Sequence, residues 1–233
     1  MEGEPSIATV AALIGDTGRA AMLTALVDGR ALPAGELAAT AGLSPPAASA
    51  HLAKLTDGGL LAVEREGRHR YYRLAGPGVA AILESLASHA NQPLRQKTTC
   101  TPQARALQHA RTCYDHLAGE LGVAVAAAFE SRGLLVPAEG KRLDVTSAGL
   151  AWFAAVFGID MATLRPGRHG VACRCLDWTE RRHHLAGPLG TLMFQRCCDL
   201  GWLMRMPRSR AVRLTERGRD SLRTQLGIGV PTA

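Results

Sequence analysis

The segment His116-Leu-Ala-Gly-Glu-Leu-Gly122 returns as His184-Leu-Ala-Gly-Pro-Leu-Gly190, and this repeat constrains the fold more than any other feature of the chain. Three ordered matches follow it. Gly133-Leu134-Leu135 returns as Gly201-Trp202-Leu203, Leu143-Asp-Val-Thr146 with Gly149 as Val212-Arg-Leu-Thr215 with Gly218, and Phe157-Gly-Ile159 as Leu226-Gly-Ile228, all at an offset of 68 or 69 residues. A period of this kind marks one supersecondary unit present twice. Each copy reads as a helix, a glycine stop, a strand ending in threonine and a Thr-capped helix, which is a partial winged helix. Gly119, Gly122, Gly187 and Gly190 put small residues on one face of each helix. Such faces serve close packing across a pseudo-dyad or line a ligand cleft.

The first 92 residues follow a different pattern. Ser6 to Ile14 is apolar. Asp16 reads as the N-cap of a helix burying Ala20, Leu23, Ala25 and Leu26, which Gly29 ends. Pro33 opens a short helix to Ala41 that presents Leu37 and Ala38. Gly42-Leu43 makes a tight turn, and Ser44-Pro45 supplies the N-cap and first-turn proline of a helix carrying Ala48, Leu52 and Leu55 inward. Two helices joined by a short glycine turn are the helix-turn-helix pattern. Leu60 to Glu64 and His69 to Leu74 then read as strands around Arg65-Glu66-Gly67-Arg68, a hairpin with a charged tip, or wing. Gly76-Pro77 breaks the strand, and Val79 to Ala90 is an apolar helix with Val79, Ile82, Leu83 and Leu86. Polar residues 93–101 read as a linker. The expected fold class is mainly α with small β-hairpin wings (α+β): a winged helix-turn-helix over 1–92, then a tandem winged-helix-like repeat over 102–233.

On Glu36-Leu37-Ala38, Ser49-Ala50-His51-Leu52, Leu55, Gly58-Gly59-Leu60-Leu61, Arg65-Glu66-Gly67-Arg68 and Tyr71-Tyr72-Arg73-Leu74, the chain resembles the ArsR-type winged-helix repressors. The resemblance covers residues 10–90. It implies a homodimer that binds double-stranded, palindromic operator DNA and releases it when a small effector binds. Ser44, Ser49, His51 and Lys54 on the second helix of the motif would face the major groove, and Arg65, Arg68, His69 and Arg70 on the wing would meet phosphates or an adjacent minor groove. Ser44 reads equally as a plain N-cap, and His51 as a helix-packing residue. The familiar metal sites of the family do not carry over, because the helix before recognition reads Glu-Leu-Ala-Ala-Thr without a thiol, and the dimer helix offers only Glu84 and His89.

The six cysteines all fall after residue 95. Cys173 and Cys175, two apart in an extended segment, point to one side and suit a soft metal or metalloid ion, with Cys113 and either Cys197 or Cys198 as further ligands. Asp177-Trp-Thr-Glu180 after them reads as a capping box opening the second-copy helix. His109, Cys113 and His116 are spaced to share one helical face. The same thiols suit a redox switch, or simply a packed core. Trp152, Phe153, Phe157, Trp178, Phe194 and Trp202 offer walls for an organic effector instead. His116 and His184, equivalent in the two copies, either face each other at a site or cap the helix packing.

Composition narrows the function classes. The formal net charge is +7, yet residues 1–95 carry 8 Lys and Arg against 9 Asp and Glu, so the surplus lies after the DNA-binding motif. Arg205, Arg208, Arg210, Arg213, Arg217, Arg219 and Arg223 hold much of it, as solvated charge or as contacts to flanking DNA. The longest apolar run is too short to span a bilayer, and no signal peptide is visible, so a cytoplasmic protein without membrane contact is expected. There is no Gly-rich phosphate loop, no Gly-x-Ser-x-Gly elbow and no His-Glu-x-x-His helix, so no enzyme is expected. A regulator released by soft-metal or thiol-reactive stress is the leading reading; a constitutive or organic-ligand-responsive regulator stands behind it, and a Cys/His enzyme last.

Overall fold

In a computed structural model, residues 7–66, 69–90, 102–207 and 209–229 are described. The chain divides into two compact units, Met1–Glu84 and Ser85–Ala233. The expected linker, residues 93–101, lies outside the described residues.

The first unit opens with α1 (Ile7–Ile14) and α2 (Thr17–Ala25). Asp16 caps α2 as expected, its carboxylate accepting the Arg19 N–H at 2.9 Å. A short β1 (Leu32–Pro33) leads into α3 (Ala34–Ala41). Gly42 ends α3 in the left-handed conformation (φ 64°), which a residue with a Cβ enters only at a cost. The recognition helix α4 (Pro45–Asp57) follows and buries Ala48, Leu52 and Leu55. These pack with Leu23, Leu26 and Leu37, all fully buried. Truncating any one of these leucines to alanine costs about 2–5 kcal/mol. Strands β2 (Leu61–Glu66) and β3 (His69–Leu74) form the wing, with β1 adding to its far edge through Leu32 opposite Tyr72. The sequence offers little sign of β1, since two residues carry no periodicity.

The last helix of this stretch, α5 (Pro77–Ala90), departs from the expected pattern. Ala80 and Glu84 are its buried residues, whereas Ile82 and Leu86 are 45% and 48% exposed, one turn apart. α1 likewise buries none of its side chains.

The second unit begins with α6 (Pro102–His109) and then contains the repeat. Each copy is hairpin, helix, hairpin, helix. The first copy runs β4 (Arg111–Cys113), β5 (His116–Ala118), α7 (Gly119–Ser131), β6 (Leu135–Pro137), β7 (Arg142–Val145) and α8 (Ser147–Phe157). The second runs β8 (Ala172–Leu176), β9 (His183–Ala186), α9 (Gly187–Asp199), β10 (Leu203–Arg205), β11 (Val212–Leu214) and α10 (Glu216–Leu226). The leading hairpin of each copy corrects the expectation that His116 and His184 lie on helices.

The trailing half of each copy is as expected. Thr146 and Thr215 cap α8 and α10, each hydroxyl accepting the N–H of the glycine three residues on at 3.0 Å. Those glycines, Gly149 and Gly218, lie so close to the turn before β6 and β10 that a Cβ would stand 2.2 Å from Leu134 O and 2.1 Å from Trp202 O.

The copies interlock. β8 of the second copy pairs with β7 of the first in the sheet β6-β7-β8-β9, while Arg111 at the start of β4 bridges to Ala211 beside β11. One shared core results, with Phe129, Phe153 and Phe194 fully buried at its centre. Phe153 and Phe157 pack edge-on with Phe129 or Trp152, and Trp202 lies tilted against Phe157. The gap between Leu117, Phe129, Phe157 and Trp202 is about 10 Å³, room for a water and not for an organic molecule.

Candidate functional site

Two surfaces carry chemistry, one in each unit. On α4 the hydroxyls of Ser44 and Ser49 and the ammonium of Lys54 are exposed on the side away from the buried Ala48, Leu52 and Leu55. Ser44 stands at the N-cap position, but its side chain makes no capping hydrogen bond. His51 turns toward α2: its Nδ1 is 3.3 Å from Arg19 Nη1 and 3.7 Å from Asp16 Oδ1. On the wing, Arg65 and Arg70 are exposed and directly opposite one another across the ladder, with Glu66 opposite His69. Arg68 lies outside the described residues. Like charges set opposite each other in a sheet destabilise it, so this pair is not accounted for by hairpin stability.

In the second unit, Cys113, His116, Cys175 and His184 converge, their donor atoms all within 4.8 Å of one another. The hairpins do this. Cys113 is the cross-strand partner of His116 in β4–β5, and Cys175 is the cross-strand partner of His184 in β8–β9. Each copy therefore presents one Cys–His pair, and the pseudo-dyad brings the pairs together. The sulfurs are 3.8 Å apart and the two Nε2 atoms 3.1 Å apart. Gly122 and Gly190 lie beside the other copy's histidine, and each must be glycine because a Cβ would stand 2.6 Å from Leu117 O or 2.8 Å from Leu185 O of its own hairpin.

A carboxylate stands behind each imidazole. His116 Nδ1 is 3.1 Å from Asp115 Oδ1. His184 Nδ1 is 3.3 Å from Asp177 Oδ2, without the alignment of a hydrogen bond. Asp177 and Arg111 are fully buried and paired at 2.8 Å, and the guanidinium lies 4.4 Å from the Trp178 ring centre. Asp177 also accepts the Gly119 N–H at 2.7 Å, capping the first copy's α7 from the second copy's hairpin turn. Burial opposes the charged form of Asp177, but His184, Arg111 and Gly119 outweigh it and hold the carboxyl below its usual range.

The same balance acts on the donors. The contact with the Cys113 sulfur, together with His116 and His184, outweighs burial and lowers the pKa of Cys175, favouring the thiolate. Burial disfavours charge on His116, yet Asp115 and the Cys175 thiolate raise it to about 9. These shifts favour a Cys175 thiolate beside a charged His116, and a thiolate is the form that holds a metal ion or meets an electrophile.

Several sequence expectations are corrected. His109, Cys113 and His116 share no helical face: His109 ends α6, and Cys113 and His116 flank a tight turn in which Tyr114 is left-handed. Asp177 to Glu180 opens no helix. It forms the β8–β9 turn, with Asp177 accepting from the N–H groups of Thr179 and Glu180. Cys173 faces Ala186 two ladder steps beyond and is not among the converging donors. Cys197 is buried in the shared core, where burial raises its pKa to about 12, and Cys198 sits beside it with its own thiol pushed up by burial. His184 was the donor least visible as a ligand. Its signal was the spacing: Cys113 precedes its histidine by three residues and Cys175 by nine, an insertion confined to the second hairpin's turn.

No helix among the described residues is long and apolar enough to cross a membrane. Residues 16–64 match the family model of a helix-turn-helix domain. Among solved structures, NolR from Sinorhizobium fredii is 30% identical over 35% of this chain and 81% of that one, with a TM-score of 0.33. HlyU from Vibrio cholerae is 28% identical over 40% and 100%, with a TM-score of 0.35. The homodimeric winged helix-turn-helix DNA-binding domain of Mb0332 from Mycobacterium bovis, described as a possible ArsR-family transcriptional regulator, is 28% identical over 41% and 94%, with a TM-score of 0.35. Over 226 residues the chain is 40% identical to YdfF of Bacillus subtilis (strain 168), an uncharacterized HTH-type transcriptional regulator, covering 97% of this chain and 99% of that protein. That identity runs through the duplicated unit as well as the helix-turn-helix, and the protein belongs to the family of HTH-type transcriptional regulators.

Proposed function

We propose that this regulator is a homodimeric repressor in the cytoplasm that holds a palindromic operator and releases it when a soft metal, metalloid or thiol-reactive agent reacts at the Cys–His centre. Ser44, Ser49 and Lys54 read the major groove from α4, and Arg65, Arg68 and Arg70 meet phosphates from the wing. His51, engaged by Arg19 and Asp16, orients α4. The observation that carries the DNA-binding part is the exposed Arg65–Arg70 cross-strand pair, whose mutual repulsion a phosphate would relieve. The exposed Ile82 and Leu86 of α5, with the unburied α1, supply apolar surface for a second copy.

Binding at the centre would shift the population between an operator-competent and an operator-incompetent arrangement of the dimer. The test is a gel-shift titration with promoter fragments upstream of neighbouring genes, repeated with zinc, cadmium, arsenite or peroxide. Sequence-preferring binding that one of these agents reverses in the wild type, and not in Cys175→Ser, supports the reading. Binding without preference, or without response to any of them, rejects it.

A further inference from the structure

We propose that Cys113, His116, Cys175 and His184 are the complete ligand set of one zinc-class divalent cation, held tetrahedrally between the two copies of the repeat. This rests on the reading of the centre as the regulator's effector site, and names the class of effector.

Zinc takes thiolate sulfur at about 2.3 Å and imidazole nitrogen at about 2.0–2.1 Å, so a regular tetrahedron sets paired sulfurs ~3.8 Å and paired nitrogens ~3.3 Å apart. The protein sets them at 3.8 Å and 3.1 Å, with every donor within 4.8 Å of the others. The sulfur and nitrogen pairs are already at tetrahedral spacing, and an ion would draw the two pairs together from at most 4.8 Å toward ~3.5 Å. Four protein donors close the coordination shell, which distinguishes such a site from a catalytic one with an open position.

The surroundings agree. A metal-bound imidazole turns its other nitrogen to a carboxylate, which fixes the ring and raises its basicity. Asp115 and Asp177 stand in those places, and Asp177 is itself fixed by Arg111 and the Gly119 N–H. Charge balances too, since two thiolates neutralise a divalent cation in a buried place where an excess of either sign is costly.

The donor set also selects. Trivalent arsenic takes thiolates alone, and among the described residues two converge here, because Cys173, Cys197 and Cys198 lie elsewhere. Two sulfurs and two nitrogens in a tetrahedron suit zinc and cadmium, with cobalt as a spectroscopic stand-in.

The full-length protein, reduced and stripped of metal, is titrated anaerobically with Co²⁺. The expected result is the intense visible absorption of tetrahedral cobalt, with thiolate-to-cobalt charge transfer, saturating at one equivalent and displaced by zinc. Charge transfer falls sharply in Cys113→Ser and in Cys175→Ser, and is unchanged in Cys173→Ser. Asp115→Ala, at a partly exposed position, weakens zinc binding about 10- to 100-fold as a positioning residue while leaving the tetrahedral spectrum intact. Absence of a tetrahedral spectrum, its persistence in both Cys113→Ser and Cys175→Ser, or stoichiometric displacement of cobalt by arsenite would overturn the proposal. The regulatory reading fails separately: one equivalent bound with no change in operator affinity leaves the site standing and removes its role as effector site.

Discussion

His116 Nε2 faces His184 Nε2 at 3.1 Å across the pseudo-dyad of the repeat. The Cβ of each histidine lies beside the glycine of the opposite copy's helix, and each ring is backed by a carboxylate from its own hairpin. The contact places the chemistry of the second unit at the seam between its halves, so whatever alters the centre also acts on how the halves hold together.

Asp177 anchors that seam. It meets Arg111, Gly119 and His184 with no exposed surface. Asp177→Asn removes one charge of a buried pair and should cost about 3–5 kcal/mol in urea unfolding. Adding Arg111→Met should recover part of the loss. A single variant as stable as the wild type would show that the pair contributes nothing. The sign with pH follows from the lowered carboxyl: its contribution is present above the ordinary Asp range and is lost as pH falls toward the folded-state value.

Gly149 and Gly218 occupy the same place in the two copies. Alanine at either would force a Cβ onto the backbone carbonyl of Leu134 or Trp202, so each substitution should destabilise by about 1–3 kcal/mol and by similar amounts. Gly35→Ala in α3, where a Cβ meets nothing within 4 Å, should instead be neutral or stabilising by a few tenths of a kcal/mol. Equal stability of all three variants would reject the packing described for the Thr-capped helices.

The thiols should differ in reactivity. In metal-free protein, the Cys175 thiolate persists as pH falls below the ordinary cysteine range, whereas Cys197, raised to about 12 by burial, remains a thiol. Iodoacetamide at pH 6 followed by peptide mass mapping should label Cys175 before Cys197, and prior zinc loading should protect Cys175. Labelling in the reverse order would contradict the electrostatics of the centre.

On the DNA-binding face, Arg70→Ala should weaken operator and non-operator DNA alike and lower the salt slope by about one. Ser49→Ala should alter sequence preference at one position. Ser44→Ala should leave the melting temperature unchanged, because Ser44 makes no capping bond. A melting-temperature loss typical of a removed N-cap would return Ser44 to a structural role.

The helix-turn-helix and wing were legible because each boundary has a local cause: Asp16 at a cap, Gly42 in a left-handed turn, Pro45 in a first turn. Thr146 and Thr215 were legible for the same reason. The centre was not, because ladder pairing is a long-range property. Cys113 and Cys175 are equivalent by their cross-strand partners but not by offset, being 62 residues apart where the histidines are 68. His116-Leu-Ala, apolar and followed by glycine, reads locally as helix, and only pairing with Arg111–Cys113 makes it a strand.

The longer turn of the second hairpin has a consequence for how this half of the protein can evolve. A true homodimer must carry every residue twice, so an acid buried at its axis would face its own copy. With both copies on one chain, the second hairpin alone houses Asp177, which serves the helix start and the arginine of the other half. Fusion has freed each half from matching the other, and a two-fold seam has become the place where they specialise.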